Sequence, residues 1–284
     1  MRIKAYRFAM AAALLIMAGV AVASAQVSCA NSITACGCTI STAGVYTVDA
    51  DLDYTQGLTS KKGCIDVTAA NVKLFTNGHP IIGAGTGKGI GIHVLSGATS
   101  AFIEAAGVQG TSVSYSVLLG WQYGLESQAP GVTADGFGYD VNTTGVFVKG
   151  AANNTIAWSE AIGNSIYGMW ISGGSGNQIS GANISDNAVA GIYLGCSSTG
   201  PMGQVCTGRS GSVATKSNSI YALTVGGIQN YGIAVEQGGS LNTVVNNSSS
   251  GNTTDDLFDG NSGCGSNLWQ ANAFVTSNNS SCIH

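Results

Sequence analysis

The sequence predicts an all-β solenoid: a single-stranded parallel β-helix of about eight coils with disulfide-stabilised loops and caps. Three observations carry this. A unit of about 23 residues recurs along the chain; each copy holds short β-branched segments of period two separated by Gly and Asn; and neither a 3.6-residue apolar stripe nor a helix cap recurs.

The chain opens outside the solenoid. Arg2, Lys4 and Arg7 form a basic start, Phe8 to Val22 is an almost unbroken apolar run, and Ala23-Ser24-Ala25 supplies the small residues that a signal peptidase reads. Residues 1–25 are therefore expected to be a signal peptide, cleaved before Gln26. An apolar run of about 15 residues is short for a bilayer span and no basic stop-transfer flank follows it. The expected address is secreted or periplasmic, with no membrane attachment after cleavage.

The eight cysteines all lie beyond that point. An even number in an exported chain reads as disulfides, and no histidine stands near a cysteine at zinc-site spacing, so no metal site is expected. Cys36 and Cys38 are too close in sequence for easy mutual bridging. Local pairs Cys196–Cys206 and Cys264–Cys282 are expected, which leaves Cys29, Cys36, Cys38 and Cys64 to pair among themselves in an order the sequence leaves open.

Removing residues 1–25 takes away three of the ten basic residues and none of the fourteen acidic ones, so the mature net charge is −7. Arg209 is the arginine that remains. Such a surface excludes nucleic acid as a partner, because that binding depends on clustered Lys and Arg. It equally disfavours a simple electrostatic grip on acidic polymers. Abundant Gly, Ser, Thr and Asn do not signal disorder here, since 44% of the residues are hydrophobic and regularly spaced.

The repeat itself reads Gly-apolar-x-apolar: Gly91-Ile92-His93-Val94, Gly124-Leu125-Glu126-Ser127, Gly145-Val146-Phe147-Val148, Gly168-Met169-Trp170-Ile171, Gly191-Ile192-Tyr193-Leu194 and Gly232-Ile233-Ala234-Val235. Gly63-Cys64-Ile65-Asp66-Val67 has the same beginning, and Asp256-Leu257-Phe258-Asp259 is a last degenerate copy. From Gly145 to Gly168 and from Gly168 to Gly191 the step is 23 residues, and it aligns Asn154 with Asn177 and Asn164 with Asn187. Stacked coils would bring these asparagines into ladders at the turns, about 4.8 Å apart. The expected organisation is an N-terminal cap over 26–62, the β-helix over 63–254 with an insertion at 195–218, and a C-terminal coil and cap over 255–284. The insertion follows from the 41-residue step between Gly191 and Gly232, 18 longer than a standard coil. It carries Cys196, Cys206 and Arg209, the makings of a stapled loop beside a binding groove.

On these residues the chain resembles the right-handed parallel β-helix repeat proteins of the carbohydrate-binding and sugar-hydrolase type, the pectate-lyase-like fold. The segment from Gly63 to Leu74 followed by Asn77-Gly78-His79 is similar to an N-terminal coil of that family, and Asp256 to Asn261 with Cys264 and Cys282 is similar to its C-terminal caps. The resemblance implies the fold and a polysaccharide partner, but the site motifs of the family's enzymes are missing. His79 and His93 lack a Gly-His-Gly context, Arg209 is not followed by lysine two positions on, and no Asp-Pro-His-Asp segment occurs. A lyase-like site would need calcium beside a basic residue. Lys149 or Lys216 could stand in for that base, but no cofactor is predicted and calcium has no ligand motif of its own here. Asp255 and Asp256 are adjacent in a strand, point to opposite faces, and read as structural.

The repeat register supplies a better candidate. In each unit the two apolar residues point inward and the middle residue points out. That outward column reads His93, Glu126, Phe147, Trp170, Tyr193, Ala234 and Phe258. Phe147, Trp170 and Tyr193, widened by Trp158, would form an exposed aromatic strip suited to the apolar faces of sugar rings. Arg209 is expected to wall the same groove. His93 and Glu126, in the next coils of the column, would be a general acid–base pair beside it. The reading is a secreted β-helix that binds a neutral or weakly charged polysaccharide and processes it if that pair is active. Two alternatives stand beside it: a non-catalytic structural or adhesive protein of the cell envelope, and a polysaccharide lyase or hydrolase with an atypical site. The sequence sets no oligomeric state.

Overall fold

A computed structural model describes residues 27–54, 62–85, 87–105, 116–196 and 215–284. The signal peptide, the pairing of Cys196 with Cys206, and Arg209 lie outside the described residues; Cys196 itself is disulfide-bonded. Every pairing between the described strands is parallel, and successive strands of a coil fall in three different sheets. The first sheet has ten strands, running from Val27–Ser28 to Asp255–Asp259; the second also has ten, from Ser32–Ile33 to Leu268–Gln270. The third has eight, from Leu52–Asp53 to Ser248–Ser250, in keeping with about eight coils. Helix is confined, among the described residues, to one 3-10 turn at Ser262–Cys264. The segment expected to be an N-terminal cap already contributes strands to all three sheets.

The interior is built from in-register apolar columns, one or two per sheet. On the first sheet Ile65, Ile92, Leu125, Val146, Met169, Ile192, Ile233 and Leu257 stack on one another, all buried. Ile103, Ala134, Ile156, Ile179, Ile220 and Val244 do the same on the second sheet. No strand here is long enough to bury much alone, and stacking turns each short apolar pair into part of a continuous core.

The glycine that opens each unit has a specific cause. A Cβ added at Gly145 would lie 2.6 Å from the Gly168 carbonyl oxygen, and one at Gly168 would lie 2.6 Å from that of Gly191. The next coil's backbone comes too close for any side chain. The asparagines form the ladders that their spacing predicts. Asn177 Oδ1 accepts from both the backbone N–H and the Nδ2 of Asn154, each at 2.9 Å, and Asn218 and Asn242 continue the series to Asn267. A second ladder runs Asn142, Asn164, Asn187 to Gln229. These buried amides satisfy backbone groups that a turn cannot pair by itself.

Disulfides join Cys29 to Cys38, Cys36 to Cys64 and Cys264 to Cys282. The first two tie the opening coils to each other, and the third closes the far end, as expected from its spacing.

Candidate functional site

Parallel pairing aligns Asp66, His93, Glu126, Phe147, Trp170, Tyr193, Ala234 and Phe258 in one column on the outer face of the first sheet. The register is the expected one; the exposure is not. Phe147, Trp170 and Tyr193 are 5, 6 and 0% exposed and belong to an apolar cluster separate from the interior core. The ring centroids of Phe147 and Trp170 are 4.2 Å apart, and Tyr167 lies 5.5 Å from Trp170 and 4.8 Å from Tyr193. Trp170 Nε1–H donates to the Gly195 carbonyl at 2.8 Å, and the Tyr193 hydroxyl is hydrogen-bonded to Glu236. An open aromatic platform is thus corrected to a closed second core. The reason is local. Each repeat glycine turns inward, so the residue before it also lies on the outer face, and Tyr123, Tyr167 and Tyr231 pack against the first column.

Trp158 takes no part in that strip. It follows the second-sheet strand Thr155–Ala157, at the corner leading to the third sheet, with a left-handed backbone (φ 48°) and its ring against Gly181. It is exposed, but on a different edge of the solenoid.

At the N-terminal side of the column the apolar cover gives way to a cleft of ≈ 520 Å³ lined by Ile90, His93, Gln122, Tyr123, Glu126, Gln128, Phe147 and Lys149. His93 and Glu126 are brought together here, on neighbouring coils. Asp66 Oδ1 accepts from the Gly63 N–H at 2.8 Å and lies 3.2 Å from His93 Nδ1. Gln128 Nε2 is 3.0 Å from His93 Nε2 and donates to Glu126 Oε1 at 2.8 Å. Lys149 Nζ stands 3.6 Å from the same Glu126 oxygen. Asp66, His93 and Glu126 are 6, 6 and 4% exposed, whereas Lys149 is largely open to solvent.

This network assigns the imidazole tautomer. A carboxylate only accepts, so Gln128 must turn its amide N–H groups towards Glu126. The same nitrogen faces His93 Nε2, which is therefore the accepting lone pair, and Nδ1 carries the proton given to Asp66. Burial, and then the Glu126 charge, push the Tyr123 phenol above its ordinary range, so it stays protonated. The site thus combines a proton acceptor, a proton donor, a cation and two aromatic rings, Tyr123 and Phe147, with centroids 4.8 Å apart.

Asp66, Gln128 and Tyr123 escaped the sequence reading, and Lys149 entered it only as a stand-in base. Asp66 carried the clearest signal, being the middle residue of the Gly63 unit, one coil before the column was started. Gln128 and Lys149 sit two places after Glu126 and Phe147, so strand alternation puts them on the same face. Tyr123 precedes its glycine, and only the inward turn of that glycine sends it outward. No group of three or more His, Cys, Asp or Glu that could hold a metal ion occurs among the described residues. Asp256 is structural, its carboxylate accepting from Asn252, Val275 and Thr276.

No family model matches the sequence, and no curated protein matches it. Among solved structures the chain is similar to the Dettilon tailspike protein, with a TM-score of 0.51 and 13% identity over 84% of this chain and 50% of the tailspike. The chain is a right-handed parallel β-helix. Pectate lyase Pel9A also aligns, with a TM-score of 0.41 and 15% identity over 87% of this chain and 71% of the lyase. The β-helix described here spans half the length of the tailspike it matches. At such identities the likeness concerns the fold, and the chemistry has to be argued from the cleft.

Proposed function

We propose that this β-helix binds a polysaccharide, and that the binding site is the cleft at the N-terminal end of the outer aromatic cluster. The observation that carries the reading is the composition of that cleft. Tyr123 supplies a partly exposed aromatic face backed by the buried Ile90 and Phe147, while His93, Gln122, Glu126, Gln128 and Lys149 offer hydrogen-bonding groups, all from three consecutive coils. Sugar rings ask for that mixture: apolar faces to stack on an aromatic, and hydroxyls around the rim to pair. A chain laid along the solenoid would meet a new coil about every 4.8 Å. The three disulfides between described residues fit a protein that folds in an oxidising compartment, outside the cytosol.

Affinity electrophoresis against a panel of neutral and uronate-containing polysaccharides tests this. Tyr123→Ala should weaken the retained interaction by about 1–3 kcal/mol, the range of a well-used aromatic anchor. The second reading, a structural or adhesive envelope protein, is favoured by the burial of Phe147, Trp170 and Tyr193. It expects no polysaccharide to be retained and no effect of Tyr123→Ala beyond stability.

A further inference from the structure

We infer that the cleft selects its polysaccharide by amino groups: the ligand is an amino-sugar chain whose protonated nitrogen sits on Glu126 and whose ring stacks on Tyr123. The inference rests on the polysaccharide reading above and adds the charge class of the sugar to it.

The acceptors of the cleft carry the argument. Glu126 is 4% exposed, and Gln128 Nε2 at 2.8 Å and Lys149 Nζ at 3.6 Å both meet it at Oε1. A carboxylate can accept about four hydrogen bonds, and burying one is costly unless it is well paired. Beside it, Asp66 takes the Nδ1–H of His93, which leaves the Nε2 lone pair facing Gln128 at 3.0 Å. Gln122 lines the same cleft, and its buried Oε1 has no hydrogen-bond partner among the described residues. A carboxylate, an imidazole lone pair and an orphaned amide oxygen all call for donors.

The chain already places one such donor there. Lys149 brings an ammonium to the cleft on a side chain that is 58% exposed, and its 3.6 Å approach to Glu126 is longer than a hydrogen bond. A lysine so exposed gives up its partner at small cost. A sugar ammonium carries three donors on one nitrogen, and in the place of the Gln128 amide it serves Glu126 and His93 together. The half-buried Tyr123 ring lines the same space, and the face of a tyrosine attracts a cation. Burial, and then the Glu126 charge, keep that phenol protonated, so the ring stays neutral.

The other charge classes fit less well. A neutral sugar that displaced Lys149 would leave the buried Glu126 charge without a counter-charge. A uronate would set a second carboxylate against Glu126, and like charges brought together at a binding surface cost free energy. Long-range charge favours the amine as well: the chain has a formal net charge of −4, and an acidic surface speeds the encounter with a polycation.

Isothermal titration of the full chain with glucosamine, N-acetylglucosamine, glucose and galacturonate oligomers of equal length tests this. The first two differ only at the nitrogen. The glucosamine oligomer should bind at least about tenfold more tightly than its acetylated counterpart, the least expected of a hydrogen bond to a charged group. Glu126→Gln should bring the ratio of those two affinities down towards one. Lys149→Ala removes the competing ammonium, so it should tighten glucosamine binding by about twofold to fivefold. Because Lys149 is exposed, this second variant keeps the test open even where Glu126→Gln fails to fold. Equal affinity for the two oligomers, a preference for galacturonate, an unchanged ratio in folded Glu126→Gln, or weaker glucosamine binding in Lys149→Ala would each overturn the amino-sugar assignment while leaving the binding site in place. Failure of the wild type to bind any of the four would overturn the polysaccharide reading beneath it.

Discussion

Trp170 has its indole stacked on Phe147, its Nε1–H on a backbone carbonyl and 6% of its surface in contact with solvent. Replacing it by Ala should therefore destabilise the fold by about 3 kcal/mol, the usual size of a buried aromatic truncation. Polysaccharide binding should barely change, because Trp170 does not line the cleft; urea denaturation and affinity electrophoresis on one variant would show the reverse if it were an open sugar platform. Asp256 supports a pH prediction. Burial pushes its pKa up, but hydrogen bonds from Asn252, Thr276 and Val275 outweigh that and hold the carboxyl below the ordinary range of an aspartate. A depressed carboxyl contributes stability that is full above its unfolded pKa and is lost as the pH falls through the folded one. Asp256→Asn turns an N–H2 towards donors, so it should cost on the order of 2 kcal/mol at pH 7. The gap to wild type should shrink as the pH falls below the unfolded aspartate's pKa of about 3.9, which denaturation midpoints at pH 7 and in acid would reveal. An equal gap at both would show that the carboxylate charge contributes nothing.

At the scale of the element, the coil is held by turns as much as by strands. Asn177 sits mid-ladder, receiving two hydrogen bonds from Asn154 and giving its own to Ala151 O and Asn218 Oδ1. Asn177→Ala leaves the buried backbone N–H of Asn154 without an acceptor, at a cost of about 2–3 kcal/mol. Amide exchange should quicken first at Asn154 and Gln178, on the two sides of the lesion; unchanged protection there would mean that water replaces the ladder. The pairing of Asn154 with Asn177 and of Asn164 with Asn187 was legible from the 23-residue step, since a ladder is only the period seen edge-on. Trp158 misled for the opposite reason. Its number places it after the Phe147 strand, but the corner that follows swings the chain onto another sheet.

For the whole molecule, stability should vary along the axis, because each coil touches only its neighbours. Cys264 and Cys282 close a loop of 18 residues at the C-terminal end. Removing that bridge by a double Ser substitution should cost about 3 kcal/mol by loop-closure entropy. Hydrogen exchange should then rise in Asp255–Asp259 and Leu268–Gln270 while Thr144–Lys149 and Tyr167–Ser172 keep their protection. A uniform rise along the chain would mean that the solenoid unfolds as one unit rather than fraying from its end.

The sequence by itself determined the solenoid, the inward and outward assignment of the residues after each repeat glycine, the asparagine ladders and the Cys264–Cys282 closure. The first three follow from periodicity and the last from local cysteine spacing, and both survive in one dimension. Tertiary structure alone decided what covers the outer column, how the first four cysteines pair, and which polar groups meet. His93 finds Asp66 from 27 residues away and Gln128 from 35, in both cases because coils stack in register. Tyr123 joins them because the crowded Gly124 turns inward against the next coil's carbonyl, 2.7 Å from where its Cβ would be. A repeat shows where each residue stands on its own coil; the contacts between coils and the cover over them depend on three-dimensional packing that no single repeat encodes.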